Sequence, residues 1–132
     1  MAAGKYSFVI EQGSTLNFEI QYKDSNSNPI DLTGYSGKMQ IKSDYADNSP
    51  ITYITLSSSL ATDGTGLNFS GSNGTTPLSS GSIGIVISAE SSSLFTFNTA
   101  KYDLELTYGS TVTRILEGNI KLSKEVTRWV IT

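Results

Sequence analysis

The sequence contains no cysteine and no histidine in its 132 residues. These absences exclude disulfide bonds, cysteine nucleophiles, histidine-dependent triads and zinc sites built from Cys and His. Charged residues make up only 16% of the chain, against about 25% in typical domains. The nine Lys and Arg form no concentrated positive patch, so we expect no nucleic-acid binding. The longest apolar strings have three residues, far fewer than a membrane-spanning helix needs, so we expect no membrane contact.

Hydroxyl groups carry the polarity that charges would otherwise provide. Serine (21) and threonine (15) account for 36 of the 132 residues, and hydrophobic residues for 37%. A chain of this length predicts a single domain over residues 1–132. The composition is typical of a β-rich structural or binding domain, and it indicates neither an enzyme nor a cofactor.

Alternation between apolar and polar residues dominates the chain. In residues 15–22 it extends over eight positions, which is the pattern of a half-buried strand. Similar patterns separated by turn signals predict about eight strands, an all-β arrangement typical of an antiparallel sandwich or barrel. At most one short helix is predicted, near residues 88–95. Ser88 would cap this helix, and Leu94 and Phe95 would anchor it to the core.

Two stretches between the strands have weaker patterns. Residues 30–34 predict a short extended piece that ends at Gly34. Residues 57–82 are dense in Ser, Thr, Gly and Asn, and Leu67-Asn68-Phe69 is their only clear strand signal. We therefore expect one short strand between two loops in this region.

The most regular pattern predicts a hairpin around a turn at Gly109-Ser110. A two-residue loop would set Leu104 beside Ile115, and a three-residue loop would set Leu104 beside Leu116. We favour the three-residue loop because it places the apolar residues of both strands on one face. A slip of one residue would turn the whole set to the other face.

The charged residues of the hairpin need separate explanations. In the favoured register Arg114 points toward the apolar side, unless it lies at an edge or a bulge at Gly118 corrects the phase. Asp103 and Glu105 lie two residues apart on one strand and therefore share a face. Two carboxylates at this spacing satisfy the separation that glycosidases need, but a solvated strand face is the simpler interpretation.

Two loops carry clusters of Asp and Asn that raise the possibility of calcium binding. They are Asp24, Asn26 and Asn28 in one loop and Asp44, Asp47 and Asn48 in the other. The Asp-x-Asn-x-Asn spacing of the first resembles the start of a calcium loop, but that loop lacks the following glycine and the distant glutamate. Asp and Asn also form turns through their own side chains, so we expect turns and no metal site.

The C-terminus holds the only tryptophan and a β-branched run, in a possible arm over residues 125–132. One interpretation is a final strand that packs on its own core. The other is an arm that adds to the sheet of a neighbouring subunit. The candidate subunit-interface residues in this arm are Val126, Arg128, Trp129, Val130 and Ile131.

Three groups of short motifs, in a fixed order, carry a resemblance to a known class of proteins. The first is Gln12-Gly13-Ser14 within residues 10–18, and the second is Pro29 with Asp31-Leu32-Thr33-Gly34, leading into residues 39–42. The third is Tyr102-Asp103-Leu104, followed by Leu116-Glu117-Gly118 and residues 124–128. This pattern resembles the small β-sandwich structural proteins of tailed-bacteriophage virions. The N-terminal domain of siphophage baseplate upper proteins and small myophage virion proteins are similar.

The resemblance implies an immunoglobulin-like β-sandwich that works by assembly in many copies. It implies a non-enzymatic adaptor or connector of the tail or baseplate, with a head decoration or neck protein of the same virion as the alternative. The partners would be other virion proteins and further copies of the chain, and the protein would be made in the host cytoplasm. A different possibility is a carbohydrate-binding module, for which Tyr35, Tyr45 and Tyr53 are the candidate exposed aromatics.

Overall fold

The computed structural model describes residues 3–43 and 49–127. Within these residues the fold is nearly all β, with one helical turn, α1 (Ala89–Ser93), and a 3-10 turn (Leu78–Ser80). The strands of the described chain are β1 (Gly4–Lys5), β2 (Phe8–Glu11), β3 (Leu16–Gln21), β4 (Ser36–Lys42), β5 (Thr52–Ser57), β6 (Gly66–Asn68), β7 (Ser82–Ile87), β8 (Thr99–Tyr108) and β9 (Thr111–Ser123). No helix in the described part of the chain is long and apolar enough to cross a membrane.

The strands form two sheets that share one hydrophobic core. The larger sheet has the order β1-β9-β8-β4-β5, with β2 also paired to β9, and the smaller sheet has the order β3-β7-β6. Inward-facing side chains of both sheets and one from the turn at residues 31–34 are fully buried in a sandwich-like arrangement. They are Ile10, Leu32, Met39, Ile41, Leu56, Leu67, Ile83, Ile85, Ile87, Leu104, Leu106 and Ile120. Each contributes on the order of 2 kcal/mol by leaving water.

The larger sheet is mixed, so the expectation of a purely antiparallel fold is wrong. Both β1 and β2 run parallel to β9, while the remaining pairs are antiparallel. The turn at Gln12-Gly13-Ser14 carries the chain from the larger sheet into the smaller one. For this reason β2 and β3 do not pair as a hairpin, and β2 lies instead along the edge of the last strand.

The hairpin of β8 and β9 turns in two residues, so the expected three-residue loop is wrong. Tyr108 pairs with Thr111, yet further along the ladder Leu104 does pair with Leu116. The register shifts between these two points because Ile115 is inserted as a bulge. This bulge turns Leu116 inward and leaves Arg114 on the outer face, so no correction occurs at Gly118.

Gly118 is not the site of the bulge considered from the sequence; it allows a close contact between two backbones. A Cβ atom at this position would collide with the carbonyl oxygen of Tyr6. The N-terminal chain runs parallel to β9 here, between β1 and β2, and the Tyr102 hydroxyl donates a hydrogen bond to the same carbonyl. Only glycine permits this close approach of the two backbones.

The weaker sequence patterns have mixed outcomes. The predicted short strand is present as β6, and the predicted helix is present as α1, where the Ser88 hydroxyl accepts a hydrogen bond from Ser91 N–H at 3.1 Å. Residues 30–34 do not form a strand, because the Asp31 carboxylate accepts hydrogen bonds from both the backbone N–H and the hydroxyl of Thr33 and closes a turn. Of the two expected helix anchors, Phe95 is buried but Leu94 is 67% exposed.

Candidate interaction surfaces

One buried polar side chain, Gln12, connects three parts of the fold. Its Nε2 donates to the carbonyl of Phe95 at 2.8 Å, and its Oε1 accepts from the backbone N–H of Glu125 at 3.0 Å. Its own backbone N–H donates to Ser123 at 2.8 Å. With 8% of its surface exposed, Gln12 fixes the end of β9 to the segment that follows α1.

The residues beside Gln12 strengthen this connection. Gly13 donates its backbone N–H to the hydroxyl of Ser92 in α1 at 3.1 Å, and that hydroxyl donates to the carbonyl of Ser14 at 2.8 Å. Gly13 adopts a φ of 82°, and a Cβ atom there would collide with the carboxylate of Glu125. The turn, α1 and the base of the C-terminal segment are therefore held as one unit.

The C-terminal segment leaves the body of the protein immediately after this anchor. Val126 is 97% exposed, so it packs against almost nothing in the described chain. Of the predicted interface residues, Arg128, Trp129, Val130 and Ile131 lie outside the described residues. The described geometry therefore gives the predicted arm a fixed point of departure at Glu125.

A small apolar groove lies beside the anchor, between α1 and the edge strand β5. It has a volume of about 260 Å³ and is lined by Tyr53, Ile54, Ser91, Leu94, Phe95 and Thr96. Two aromatic rings of this lining, those of Tyr53 and Phe95, both pack against the ring of Phe97 behind them. The ring centroids of Tyr53 and Phe97 are 4.6 Å apart, and those of Phe95 and Phe97 are 5.3 Å apart. Together with the exposed Leu94, these rings make the groove suitable for an apolar side chain.

The outer face of the larger sheet concentrates the few charges of the chain. Six of the nine Lys and Arg and four acidic residues lie there on neighbouring strands, in the described residues Lys5, Glu11, Lys38, Lys42, Lys101, Asp103, Glu105, Arg114, Glu117 and Lys121. Much of this face lines an open depression of about 710 Å³. The face carries a net positive charge, whereas the whole chain has a net charge of −3.

Arg114 is the centre of this charged face. Its Nε lies 3.3 Å from Asp103 Oδ2 and 3.9 Å from Glu105 Oε2, and its Nη1 lies 3.4 Å from Glu117 Oε1. Lys5 also donates to Glu117, and that hydrogen bond, followed by the positive charges of Lys5 and Arg114, lowers the pKa of the Glu117 carboxyl. The two expected surface carboxylates thus lie on an exposed face, where Arg114 neutralises them.

The candidate aromatics do not form a common row. Tyr35 precedes β4 and packs against Tyr108 with ring centroids 4.9 Å apart, while Tyr53 packs against Phe97 in the region of the opposite end of β4. Both are half-buried, and Tyr45 lies outside the described residues. A strand of seven residues separates Tyr35 from Tyr53, or about 23 Å, so the two rings do not make one flat sugar-binding platform.

The loop residues considered for calcium form turns where they are described. Asp24 Oδ1 accepts the backbone N–H groups of Asn26 and Asn28 at 2.9 and 3.0 Å. Asp44, Asp47 and Asn48 lie outside the described residues. The described parts of the chain contain no group of three or more residues able to hold a metal ion.

Sequence reasoning missed the two features that define the groove and its anchor. From the sequence Gln12 is only part of a turn, because its bonding partners, Phe95 and Glu125, lie 83 and 113 positions away. Leu94 was interpreted as a core anchor because an apolar residue beside a short helix usually is one. Its exposure depends on tertiary packing that the local pattern does not contain.

No protein-family model matches this chain, and no curated protein matches it in sequence.

Proposed function

We propose that this protein is a non-enzymatic structural component of a tailed-phage virion, an adaptor or connector of the tail or baseplate that assembles in several copies. A head decoration or neck position in the same virion is the alternative placement. In either position the protein acts by binding other virion proteins and further copies of itself. The proposal also assigns its C-terminal segment, beyond Glu125, to contacts between subunits.

The proposal includes an immunoglobulin-like topology, which the strand order supports. If the strands from β3 onward are lettered B, C, C′, D, E, F and G, the smaller sheet has the order B-E-D. The larger sheet has the order G-F-C-C′, as in variable-type immunoglobulin domains. The N-terminal strands differ from that scheme in one respect, because they pair with the last strand and not with β3.

Support for the virion assignment comes from what the resembling motifs do in the fold. Gln12-Gly13-Ser14 makes the anchor, Asp31-Leu32-Thr33-Gly34 makes a turn that buries Leu32, and residues 102–118 make the central hairpin. These segments form the framework of the fold. A shared framework is what a resemblance between small virion domains would require.

One observation carries the proposal that the chain works by assembly. The departure point of the C-terminal segment is fixed by a buried hydrogen-bonded side chain, while the next residue, Val126, is 97% exposed. A rigid base followed by an exposed residue and an apolar stretch of sequence is the arrangement expected of an arm that binds elsewhere. Chain ends without a binding role are usually less firmly held.

The test compares the full chain with a chain that ends at Thr127. The shortened chain keeps the Glu125 bond to Gln12 and lacks the five residues that follow, Trp129 among them. We expect light scattering to give a defined oligomer for the full chain and the mass of one subunit for the shortened chain. Circular dichroism checks that both chains are equally folded.

The virion assignment needs its own measurement. We expect an antibody against the full chain to detect it in gradient-purified particles of the phage that encodes it. A chain that stays monomeric at every concentration and is missing from purified particles would contradict the proposal.

A further inference from the structure

We propose that the groove between β5 and α1 is the docking site for the C-terminal segment of a second copy of this chain. The segment adds to the open edge of β5 and places Trp129 in the groove. This inference rests on the proposed assembly through the arm and names the surface that receives it.

The first argument is the state of the sheet edges. In the described residues β5 pairs with β4 on one side only. Proteins normally protect an edge strand with charges, and β1 and β2 carry Lys5 and Glu11 while β3 carries Glu19. β5, with the sequence Thr-Tyr-Ile-Thr-Leu-Ser, carries no charge. Among the described edge strands without charge it is the longest. Beyond the register shift near Tyr53, this uncharged edge is suited to pairing with another strand.

The second argument is the size and composition of the groove. Its volume of about 260 Å³ is below the 300 Å³ or more that is usual for small-molecule sites. An apolar cavity of about 150 Å³ is enough for benzene, so this groove suits one bicyclic aromatic side chain. The rings of Tyr53 and Phe95 in the lining give such a side chain neighbours to pack against, and Leu94 already lies exposed at the groove.

The third argument is the chemistry of the arm. Residues 128–132 read Arg-Trp-Val-Ile-Thr and contain the only tryptophan of the chain. Tryptophan, valine, isoleucine and threonine all favour strands, so the segment is suited to edge pairing. From Val126 to the last residue the arm can reach at most about 25 Å, enough to contact an adjoining subunit.

The fourth argument decides between the chain's own groove and that of a second copy. Gln12 bonds both to Glu125, at the base of the arm, and to Phe95, in the groove wall, so arm and groove lie at the same end. Val126, the residue after the anchor, is 97% exposed and does not pack toward this groove. Two copies that face each other at this end can instead exchange arms reciprocally and close a dimer.

The experiment separates donor from acceptor. Leu94→Asp blocks the groove but keeps the arm, and the chain ending at Thr127 lacks the arm but keeps the groove. We expect each variant alone to be monomeric. The dissociation constant of the Leu94→Asp chain for itself should be at least roughly thirtyfold higher than that of the unaltered chain, as for a hot-spot residue. Mixed together, they are expected to associate one to one, and the Trp129 emission of the Leu94→Asp chain should shift to the blue.

The matched control is Val112→Asp. Val112 is similarly exposed, at 58% against 67% for Leu94, but it lies at the far end of β9. We expect this control to assemble like the unaltered chain. Equal weakening by both substitutions would overturn the proposal, since the effect would then come from added charge alone.

Two other outcomes would also overturn the inference, and each leaves a different conclusion. If the full chain assembles through its arm but the mixed variants do not associate, the arm binds another surface and the proposed function stands. If Trp129 is shielded in a monomer, independently of concentration, and Leu94→Asp exposes it, the arm occupies its own groove. In that case the assembly role of the arm fails as well.

Discussion

The substitution Gln12→Ala tests the anchor on which the arm depends. The change removes two side-chain hydrogen bonds, one of 2.8 Å to the Phe95 carbonyl and one of 3.0 Å from Glu125 N–H. Losing the bond to the half-buried Glu125 N–H costs about 1 kcal/mol net, and losing the bond to the buried Phe95 carbonyl, which is left without a partner, costs about 1–3 kcal/mol. We therefore expect the free energy of unfolding to fall by about 2–4 kcal/mol, and Tm by roughly 10 °C.

The chain provides a matched control for this substitution in Gln21→Ala. Gln21 Nε2 also donates to a backbone carbonyl, that of Ser80 at 2.9 Å, but the bond is exposed to solvent. Water can replace the lost partner there, so we expect a change within about 0.5 kcal/mol. The two substitutions remove the same atoms from the same residue type and differ mainly in burial.

Urea denaturation followed by circular dichroism measures both variants, with the midpoint and the slope reported separately. The midpoint of the Gln12→Ala chain should fall while the slope stays unchanged. A loss below about 1 kcal/mol, or no larger than that of Gln21→Ala, would refute the anchor as a stabilising contact. A changed slope would indicate that the arm base or α1 had loosened before global unfolding.

Two further predictions concern the contact of the N-terminal chain with β9 at Tyr6. Gly118→Ala should lower the free energy of unfolding, measured by urea denaturation, by about 1–3 kcal/mol, because its Cβ would meet the Tyr6 carbonyl. The control is Gly4→Ala, whose Cβ has no neighbour nearer than 3.5 Å and which should be nearly neutral. Burial, followed by the neighbouring Tyr6, raises the pKa of Tyr102 in the folded protein. Its contribution to stability is therefore complete below the unfolded pKa of about 10 and is lost as the pH rises above it. Tyr102→Phe should weaken this alkaline loss, measured as the difference in unfolding free energy between neutral and alkaline pH, and an unchanged pH dependence would contradict the assignment.

The sequence predicts the elements of this fold better than their pairing. The alternation of half-buried and exposed residues along β3 and the Ser88 cap of α1 are local features, and the structure confirms them. The register of the β8–β9 hairpin is harder to predict, because two different turns place both Leu104 and Leu116 on the inward face. A three-residue loop produces that phase directly, and a two-residue turn followed by a bulge at Ile115 produces it as well. The alternation of side chains alone does not distinguish them.

The parallel course of β1 and β2 was beyond local reasoning for a related reason. A short turn between two apolar strands usually indicates a hairpin. At Gln12 and Gly13 the turn is instead bonded to α1 and to the end of β9, so its flanking strands enter different sheets. Those bonds span more than 75 positions of the sequence, as the 83 between Gln12 and Phe95 illustrate. Only the assembled fold contains that information.

The distribution of the few charges in the sequence bears on which strand edges are open to pairing with another chain. Charges lie on the outer face of the larger sheet and on the edges formed by β1, β2 and β3, where they disfavour pairing with another strand. The β5 edge has hydroxyl and apolar side chains instead. In the proposed docking, residues 126–132, which contain no acidic side chain, meet the six-residue uncharged edge of β5 next to a groove at the same end as the arm's own anchor. Specificity then comes from the charges on β1, β2 and β3 as much as from attraction at β5.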